Sequence, residues 1–587
     1  MATYPRANLG DVSLVLCGAA GQGVQTVERI LVKLAKAAGY HVFASREYMS
    51  RVRGGSNSTA LRISSFPVRA PVDRIDVLLP LNRGVRSHIL ERIDEGTAIL
   101  GDPEELGDEF RRWEAQTIPV SFLALAREVG QALFAGVVAV GVLAALLEIP
   151  REKLEEALRR HFGGKGPEMS DKNWAAGARG YVEGEALRRS GRLEMNLVAD
   201  PAVEGAILVS GTEAVALGAL AGGCDFCCGY PMSPATGVLQ YLIAQGRRFG
   251  VVTEQAEDEI AAINMAVGAS YAGARPLVST SGGGLALMGE GISLAGITEC
   301  PVVIHLAQRP GPATGMATRT EQGDLDLALY AGHGEFPRAV FAPGTLEEAF
   351  YCTQRAFAQA LKWQGPALVL TDQYLVDLSH DLPMPDLERH ATGDYLIETK
   401  EGYRRYAYAE GGVSPRGVPG HGEGLVGADS HEHDEEGHVR EDFALRQKMH
   451  AKRMKKLEGL TRDALPPVLV GPEDYRCLVV VWGSTRPVGE EALARLAQRA
   501  WRGRRDTALL SFPQVYPLPS STKDFLARAE RVVVVEGNAT GQFARHLFLA
   551  TGRRPDASVR RWNGLAFSVE WVAQELGKAL DEGGEMA

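Results

Sequence analysis

The sequence predicts an α/β protein made of several doubly wound parallel-sheet domains. Short, mostly apolar runs read as buried strands at residues 12–17, 277–280, 302–306, 477–482 and 531–536. Most of them run into a loop rich in glycine or small polar residues that opens a helical period, which is the βα pattern of a parallel sheet. At 587 residues the chain has room for three or four such domains, each with its own core.

Composition narrows the partners. The net charge is -10 with no basic block, which argues against nucleic acid. Residues 1–11 carry no apolar signal region. The longest apolar stretch, residues 132–147, is broken by Gly136 and Gly141 and falls short of the ~20 residues a membrane span needs, so it reads as a buried helix of a cytoplasmic protein. The 7 cysteines are scattered apart from Cys224, Cys227 and Cys228. That group lacks a second pair to complete four metal or cluster ligands and reads as buried thiols at a strand end.

In chain order, the strand at 12–17 leads through Gly18-Ala19-Ala20-Gly21-Gln22-Gly23 into a helix with Val24, Val27, Ile30, Leu31 and Leu34 on its apolar side. Bare N–H groups at such a turn suit a phosphate, although the spacing is not the dinucleotide fingerprint and an empty tight turn fits equally. Arg46, Arg51 and Arg53 flank Gly54-Gly55 before a strand at 58–63. Strands at 75–79 and 97–100 and helices at 121–130, 132–148, 151–162 and 175–190 complete a first module of about 190 residues. A second domain spans 205–380, with strands ending at Tyr230-Pro231-Met232-Ser233-Pro234, at the triple glycine 282–284 and at Arg309, where parallel sheets bind ligands. Residues 383–467 turn polar and charged and include His431, His433 and His438 among carboxylates, a weak cation signal without helical register. A charged helix is expected at 442–460. The last domain, 471–587, has strands at 477–482, 507–511 and 531–536, and Gly537-Asn538-Ala539-Thr540-Gly541 enters a helix as an anion seat or a plain tight turn.

Between Tyr230 and Ala274 lies the run Thr253-Glu254-Gln255-Ala256-Glu257-Asp258-Glu259. Helical periodicity from Thr253 puts Ala256, Ile260, Ile263, Val267 and Tyr271 on a buried face, and Glu257 with Ala261, Asn264 and Gly268 on a face of small residues that a planar ligand could approach. Thr253 as an N-cap with acids in the first turn is the ordinary account, but four acids in six positions exceed the needs of one cap.

The ordered set Tyr-Pro-Met-Ser-Pro at 230–234, Gln-Ala-Glu-Asp-Glu at 255–259, Thr-Ser-Gly-Gly-Gly at 280–284 and Gln308-Arg309-Pro310-Gly311-Pro312, with Thr318-Arg319-Thr320-Glu321-Gln322, resembles the alpha subunit of the 2-oxoacid:ferredoxin oxidoreductases. The module 1–190 resembles the gamma module of that family, and the last domain resembles the transketolase C-terminal domain. The resemblance implies a thiamine-diphosphate enzyme that oxidatively decarboxylates a 2-oxo acid with coenzyme A and delivers electrons to ferredoxin. Of that family's enzymes it looks most like those acting on 2-oxoglutarate, with pyruvate the near alternative. It implies Glu257 as the carboxylate against the aminopyrimidine, with Glu254 and Glu259 as stand-ins, and Tyr230, Pro231 and Gly283 on the pyrimidine side. It further implies Arg309 on the substrate carboxylate, Ser233 near the keto group, Thr318 at the substrate's far end, and Gly21, Gln22, Gly23 and Arg53 toward coenzyme A. Residues 381–470 resemble an arm that contacts a partner chain. The sequence lacks Gly-Asp-Gly and cluster cysteines, so a separate beta subunit is expected to hold the diphosphate, Mg2+ and the iron-sulfur cluster, in a dimer of alpha-beta heterodimers. Competing classes are a flavin or NAD dehydrogenase subunit using Gly18–Gly23 and a non-catalytic scaffold.

Overall fold

The computed structural model describes residues 10–19, 23–49, 56–81, 84–102, 106–390, 392–498 and 506–581. The chain forms two compact units. The first comprises Met1–Val209 with Leu378–Met384 and Ser568–Glu570, and the second comprises the remainder.

In the first unit, Asp11–Ala19 is central: it pairs in parallel with Val77–Pro80, which continues through Ala98–Gly101 to Thr117–Pro119. On its other side the order changes. Ser56–Ser64 and His41–Glu47 run as an antiparallel pair beside it, and Ser379–Leu382 adds antiparallel to His41–Glu47. The sheet is therefore mixed and not purely parallel, because the segment after the first helix, His41–Glu47, is itself a strand that returns as a hairpin. Buried charge pins this side: Glu28, on the helix Val24–Ala37, takes a forked contact from Arg46 at 2.6–2.8 Å and one from the Thr59 hydroxyl at 3.2 Å.

The apolar run 132–147 is exposed at Ala132 and Leu133 and buried from Val137 on, within the helix Ala135–Leu146. It lies against the long helix Pro167–Arg189, which begins eight residues before the expected start at 175 because Pro167 suits a first helical turn. The two backbones touch: a Cβ on Gly180 would sit 2.0 Å from the Val138 carbonyl, and one on Gly141 2.0 Å from the Gly177 carbonyl. Only glycine permits that approach.

The second unit holds two sheets. The first runs in the order Gln514–Tyr516, Ala339–Phe341, Pro366–Asp372, Val302–Gln308, Pro276–Thr280, Phe226–Gly229 and Val252–Gln255, parallel throughout except for its first strand. The second, in the last domain, orders Val468–Val470, Thr507–Phe512, Cys477–Trp482, Arg531–Glu536 and Ala557–Arg560, again parallel except at the first. From Phe226–Gly229 the chain moves outward to Val252–Gln255 and then returns to the opposite side as Pro276–Thr280. That reversal opens a crevice at the carboxyl ends of the two inner strands.

The charged segment after residue 383 is not a solvated linker. Arg405 donates to Gln364 Oε1 at 2.9 Å and to the Glu299 carbonyl at 2.8 Å, and Arg416 donates to the Ser270 carbonyl. The expected helix is Phe443–Arg462, capped by Asp442. Its Lys452 and Lys456 reach Glu299 at 2.9 and 2.5 Å, with all three side chains buried. Against the burial that pushes it up, Lys456, Lys452 and Arg405 hold the Glu299 carboxyl well below the usual carboxylate range. Removing that one anion leaves two buried cations, so Glu299→Gln is expected to cost about 3–5 kcal/mol at neutral pH. The contribution of a depressed carboxylate is full above its unfolded value of about 4.3 and is lost as pH falls below it. The gap between wild type and variant, read from urea midpoints, therefore narrows in acid.

Candidate active site

The crevice is lined by the loops that leave its strands. After Phe226–Gly229, the segment from Tyr230 to Ser233 is largely exposed at the mouth, and the carbonyl of Ser233 accepts from Arg309 Nη1 at 2.6 Å. Ser233 and Arg309, assigned from the sequence, thus meet. Beneath them runs a buried column. Ser279 Oγ donates to the Ala235 carbonyl at 3.1 Å and contacts His305 Nδ1 at 2.9 Å, and His305 Nε2 lies 2.8 Å from Thr371 Oγ1. Burial pulls His305 down to about 3, so the ring is neutral. With the serine proton given to Ala235, His305 donates from Nδ1 to Ser279 and accepts at Nε2 from Thr371. This column fixes the backbone that follows Ser233, and a lone histidine in an apolar strand was its only mark in the sequence.

The acidic run divides differently from the helical expectation. Val252–Gln255 is an edge strand, Asp258 caps the helix by accepting from Ala261 N, and the helix is Glu259–Tyr271. Its buried side is Glu259, Ala262, Ile263, Ala266, Val267 and Ser270, so Ile263 and Val267 are placed as expected while Ile260 is half exposed. Glu257 lies exposed on the bend before the helix, off the helical face on which it was expected, and Glu254 is exposed on the strand. Glu259, two residues on, is 2% exposed.

Around the triple glycine three buried polar atoms have no hydrogen-bond partner: Glu259 Oε1, Ser281 Oγ and Asp324 Oδ2. A Cβ on Gly284 would lie 2.8 Å from Glu259 Oε1, and one on Gly282 2.4 Å from Asp324 Oδ2, while Gly283 is exposed with nothing within 4 Å. Orphaned buried groups beside open backbone are the mark of a site that a ligand completes. Burial pushes Asp324 up to about 6 against the attraction of Arg309. Burial lowers Arg309, which Asp324 and Glu259 oppose.

Thr318 is half-buried in the loop between Arg309 and Asp324. That loop is anchored at Gln322, which donates to the Trp482 carbonyl at 2.9 Å, accepts from Gly537 N at 2.8 Å, and gives its own N–H to the Gly537 carbonyl at 2.6 Å. The turn at Gly537–Gly541 serves the chain itself. Asn538 Oδ1 accepts from Gly541 N and Gln542 N, and Glu536 accepts from Phe543 N and Ala544 N, so the helix start is already capped. Cys224, Cys227 and Cys228 are buried free thiols, with Cys228 Sγ donating to the Ala262 carbonyl. Asp434, Glu436 and His438 approach one another, but Asp434 is held by Arg440 and by the backbone N–H groups of Glu436 and His438. Gly21, Gln22 and Arg53 lie outside the described residues; Gly23, with φ +79°, opens the helix Val24–Ala37.

Two family descriptions match the sequence: pyruvate ferredoxin/flavodoxin oxidoreductase over residues 13–183, and the thiamine-diphosphate-binding part of pyruvate flavodoxin/ferredoxin oxidoreductase over 217–452. The alpha subunit of 2-oxoacid:ferredoxin oxidoreductase 2 of Aeropyrum pernix is 30% identical, covering 98% of this chain and 98% of its own. The chain belongs to the 2-oxoacid:ferredoxin oxidoreductase alpha subunits. It is accordingly a subunit of a thiamine-diphosphate-dependent oxidoreductase. The 2-oxoglutarate oxidoreductase subunit KorA of Mycobacterium tuberculosis is 27% identical to this alpha subunit over 98% of it and 92% of the relative. Among solved structures, the 2-oxoglutarate:ferredoxin oxidoreductase from Magnetococcus marinus, with 2-oxoglutarate, coenzyme A and succinyl-CoA bound, matches with a TM-score of 0.88 and 28% identity, over 97% of this chain and 100% of that one.

An aspartate with a raised pKa stabilises the fold most when protonated, and that contribution is lost as pH rises through its folded value. The alpha subunit is thus expected to lose stability between the ordinary aspartate range and about pH 6, a slope that Asp324→Asn removes in urea midpoints taken across that range.

Proposed function

We propose that this alpha subunit supplies the pyrimidine-side half of a thiamine-diphosphate site, and that the assembled enzyme converts 2-oxoglutarate and coenzyme A to succinyl-CoA and carbon dioxide with electrons passing to ferredoxin. The carrying observation is the buried carboxylate of Glu259, whose Oε1 lacks a partner and lies against Gly284, the residue after the exposed Gly283. The substrate reading is supported by the full-length likeness to the M. marinus enzyme and to the KorA subunit.

When bound, thiamine diphosphate supplies the carbon nucleophile and electron sink that the loss of carbon dioxide requires. The residues around the crevice fit the pyrimidine end of that group. Glu259, in preference to Glu257, holds the proton at the ring nitrogen, because a water-excluded carboxylate interacts with a partner far more strongly than an exposed one. Tyr230 and Pro231 at the mouth, with Gly283, offer surface for the ring. Arg309 keeps one N–H on the Ser233 carbonyl and turns its remaining donors to the carboxylate of the 2-oxo acid, a geometry that a lysine could not reproduce. The Ser233 hydroxyl stands near the keto oxygen, and Thr318 limits the far end of the substrate. Gly21, Gln22, Gly23 and Arg53 are assigned to coenzyme A. Arg46 is excluded from that role by its fork on Glu28.

In this reading residues 1–190 are a gamma module, 205–380 the pyrimidine-binding domain, 381–470 an arm reaching a partner chain and 471–587 a transketolase-like C-terminal domain. The diphosphate, Mg2+ and the iron-sulfur cluster belong to a beta subunit, two alpha-beta pairs forming the enzyme.

The test is coenzyme-A-dependent viologen reduction under anaerobic conditions by the complex purified through this chain. 2-Oxoglutarate is expected to support turnover well above pyruvate, and the reverse preference would refute the substrate. In the same assay Glu259→Gln is expected to lower turnover by about 10²–10⁴-fold and to weaken thiamine diphosphate binding, with Glu257→Gln close to wild type. The opposite ranking would return the role to Glu257.

A further inference from the structure

In the first unit, the helices Val24–Ala37 and Arg151–Phe162 enclose a cleft of about 450 Å³. Arg29 and Lys33, one turn apart, face it from the first helix, and Lys153, Arg160 and His161 face it from the second. Ile30 and Ala157 provide an apolar floor. In a chain of net charge -10, this is a concentration of positive charge that needs an explanation.

Of the nearby acids only Glu156 offsets this charge, and the others are engaged elsewhere. Glu28 is buried under Arg46. Glu155 and Asp171 both pair with Arg159 at 2.8 Å, and Glu156, the one carboxylate on the cleft wall, pairs with Arg160. Lys153 donates to the Ala37 carbonyl at 2.6 Å, which holds its ammonium at the cleft. Among the described residues, Arg29 and Lys33 have neither an ion pair nor a side-chain hydrogen bond. Their charge is felt: burial, then Arg29, Lys33 and Lys165, lower the pKa of His161. Like charges facing a concave surface raise the local concentration of anions and are relieved by binding one. Guanidinium and ammonium donors converging on an apolar floor suit phosphate oxygens carried on a small organic body.

We propose that this cleft binds a small polyphosphate anion, at a site separate from the glycine loop assigned to coenzyme A. Arg29 and Lys33 contribute the contacts that carry the affinity, while Lys153 and Arg160 close the walls. The inference does not depend on which 2-oxo acid the enzyme uses.

The test is calorimetric titration of the native complex with pyrophosphate, at constant ionic strength and with thiamine diphosphate and coenzyme A saturating, so that their own sites are filled. Saturable binding is expected. The double variant Arg29→Ala with Lys33→Ala should weaken it by at least about tenfold, since two charge-assisted contacts are lost. Basal turnover and melting temperature should be unchanged, because both side chains are exposed. The exchange Arg29→Lys with Lys33→Arg should retain most of the binding. Absence of saturable binding, or equal affinity in the double alanine variant, would overturn the proposal.

Discussion

Adjacent parallel strands that the chain leaves in opposite directions cannot both be covered at their carboxyl ends, and here those strands are Phe226–Gly229 and Pro276–Thr280. Everything at the candidate active site follows from that reversal. It sets the loop at Tyr230–Ser233 opposite the triple glycine, and it brings Arg309, from the next strand, against the Ser233 carbonyl. The core below the crevice is rigid because its polar groups are paired: Thr371, His305 and Ser279 form one hydrogen-bonded line to the Ala235 carbonyl. Above it Glu259 Oε1, Ser281 Oγ and Asp324 Oδ2 are unpaired. Satisfied polar atoms beneath and orphaned ones above distinguish scaffold from site in this unit.

The placement of the carboxylate turns on where a helix starts. A strand ending at Gln255 and a cap at Asp258 leave Glu257 on the bend between them, while Glu259 becomes the first helical residue and turns inward. Counting helical turns from Thr253 gives nearly the same apolar positions, because Ile263 and Val267 satisfy both registers. What separates them is the small-residue set Ala262, Ala266 and Ser270, which shares the buried face with Glu259 and not with Glu257. Asp258 as a cap was the local signal for the later start.

The strands were the most legible part of the fold: Cys477–Trp482 and Arg531–Glu536 have the expected bounds, since a strand buried on both faces reads as a continuous apolar run. Half-exposed strands such as Val252–Gln255 give no such run. The contacts that the segment from 383 to 467 makes within its own chain were not legible, because composition records charge and not pairing. Glu299 lies 153 residues from Lys452 and 157 from Lys456, and nothing local announces that they meet. The site was legible through its motif loops, Ser233 and Arg309 among them, whereas Asp324, Ser281 and His305 depend on tertiary neighbours.

The strand Gln514–Tyr516 comes from the last domain yet closes the edge of the sheet at Ala339–Phe341, with the Ala342 N–H donating to the Pro513 carbonyl at 2.8 Å. A fragment cut to the boundaries of the second domain would therefore expose a short, fully apolar edge with unpaired backbone groups, the kind of template on which chains add to one another. The two sheets of this unit are separable on paper and inseparable in a test tube: a dissected pyrimidine-binding domain would be recovered as aggregate, and complementation between fragments would require the C-terminal piece to be present while the first one folds.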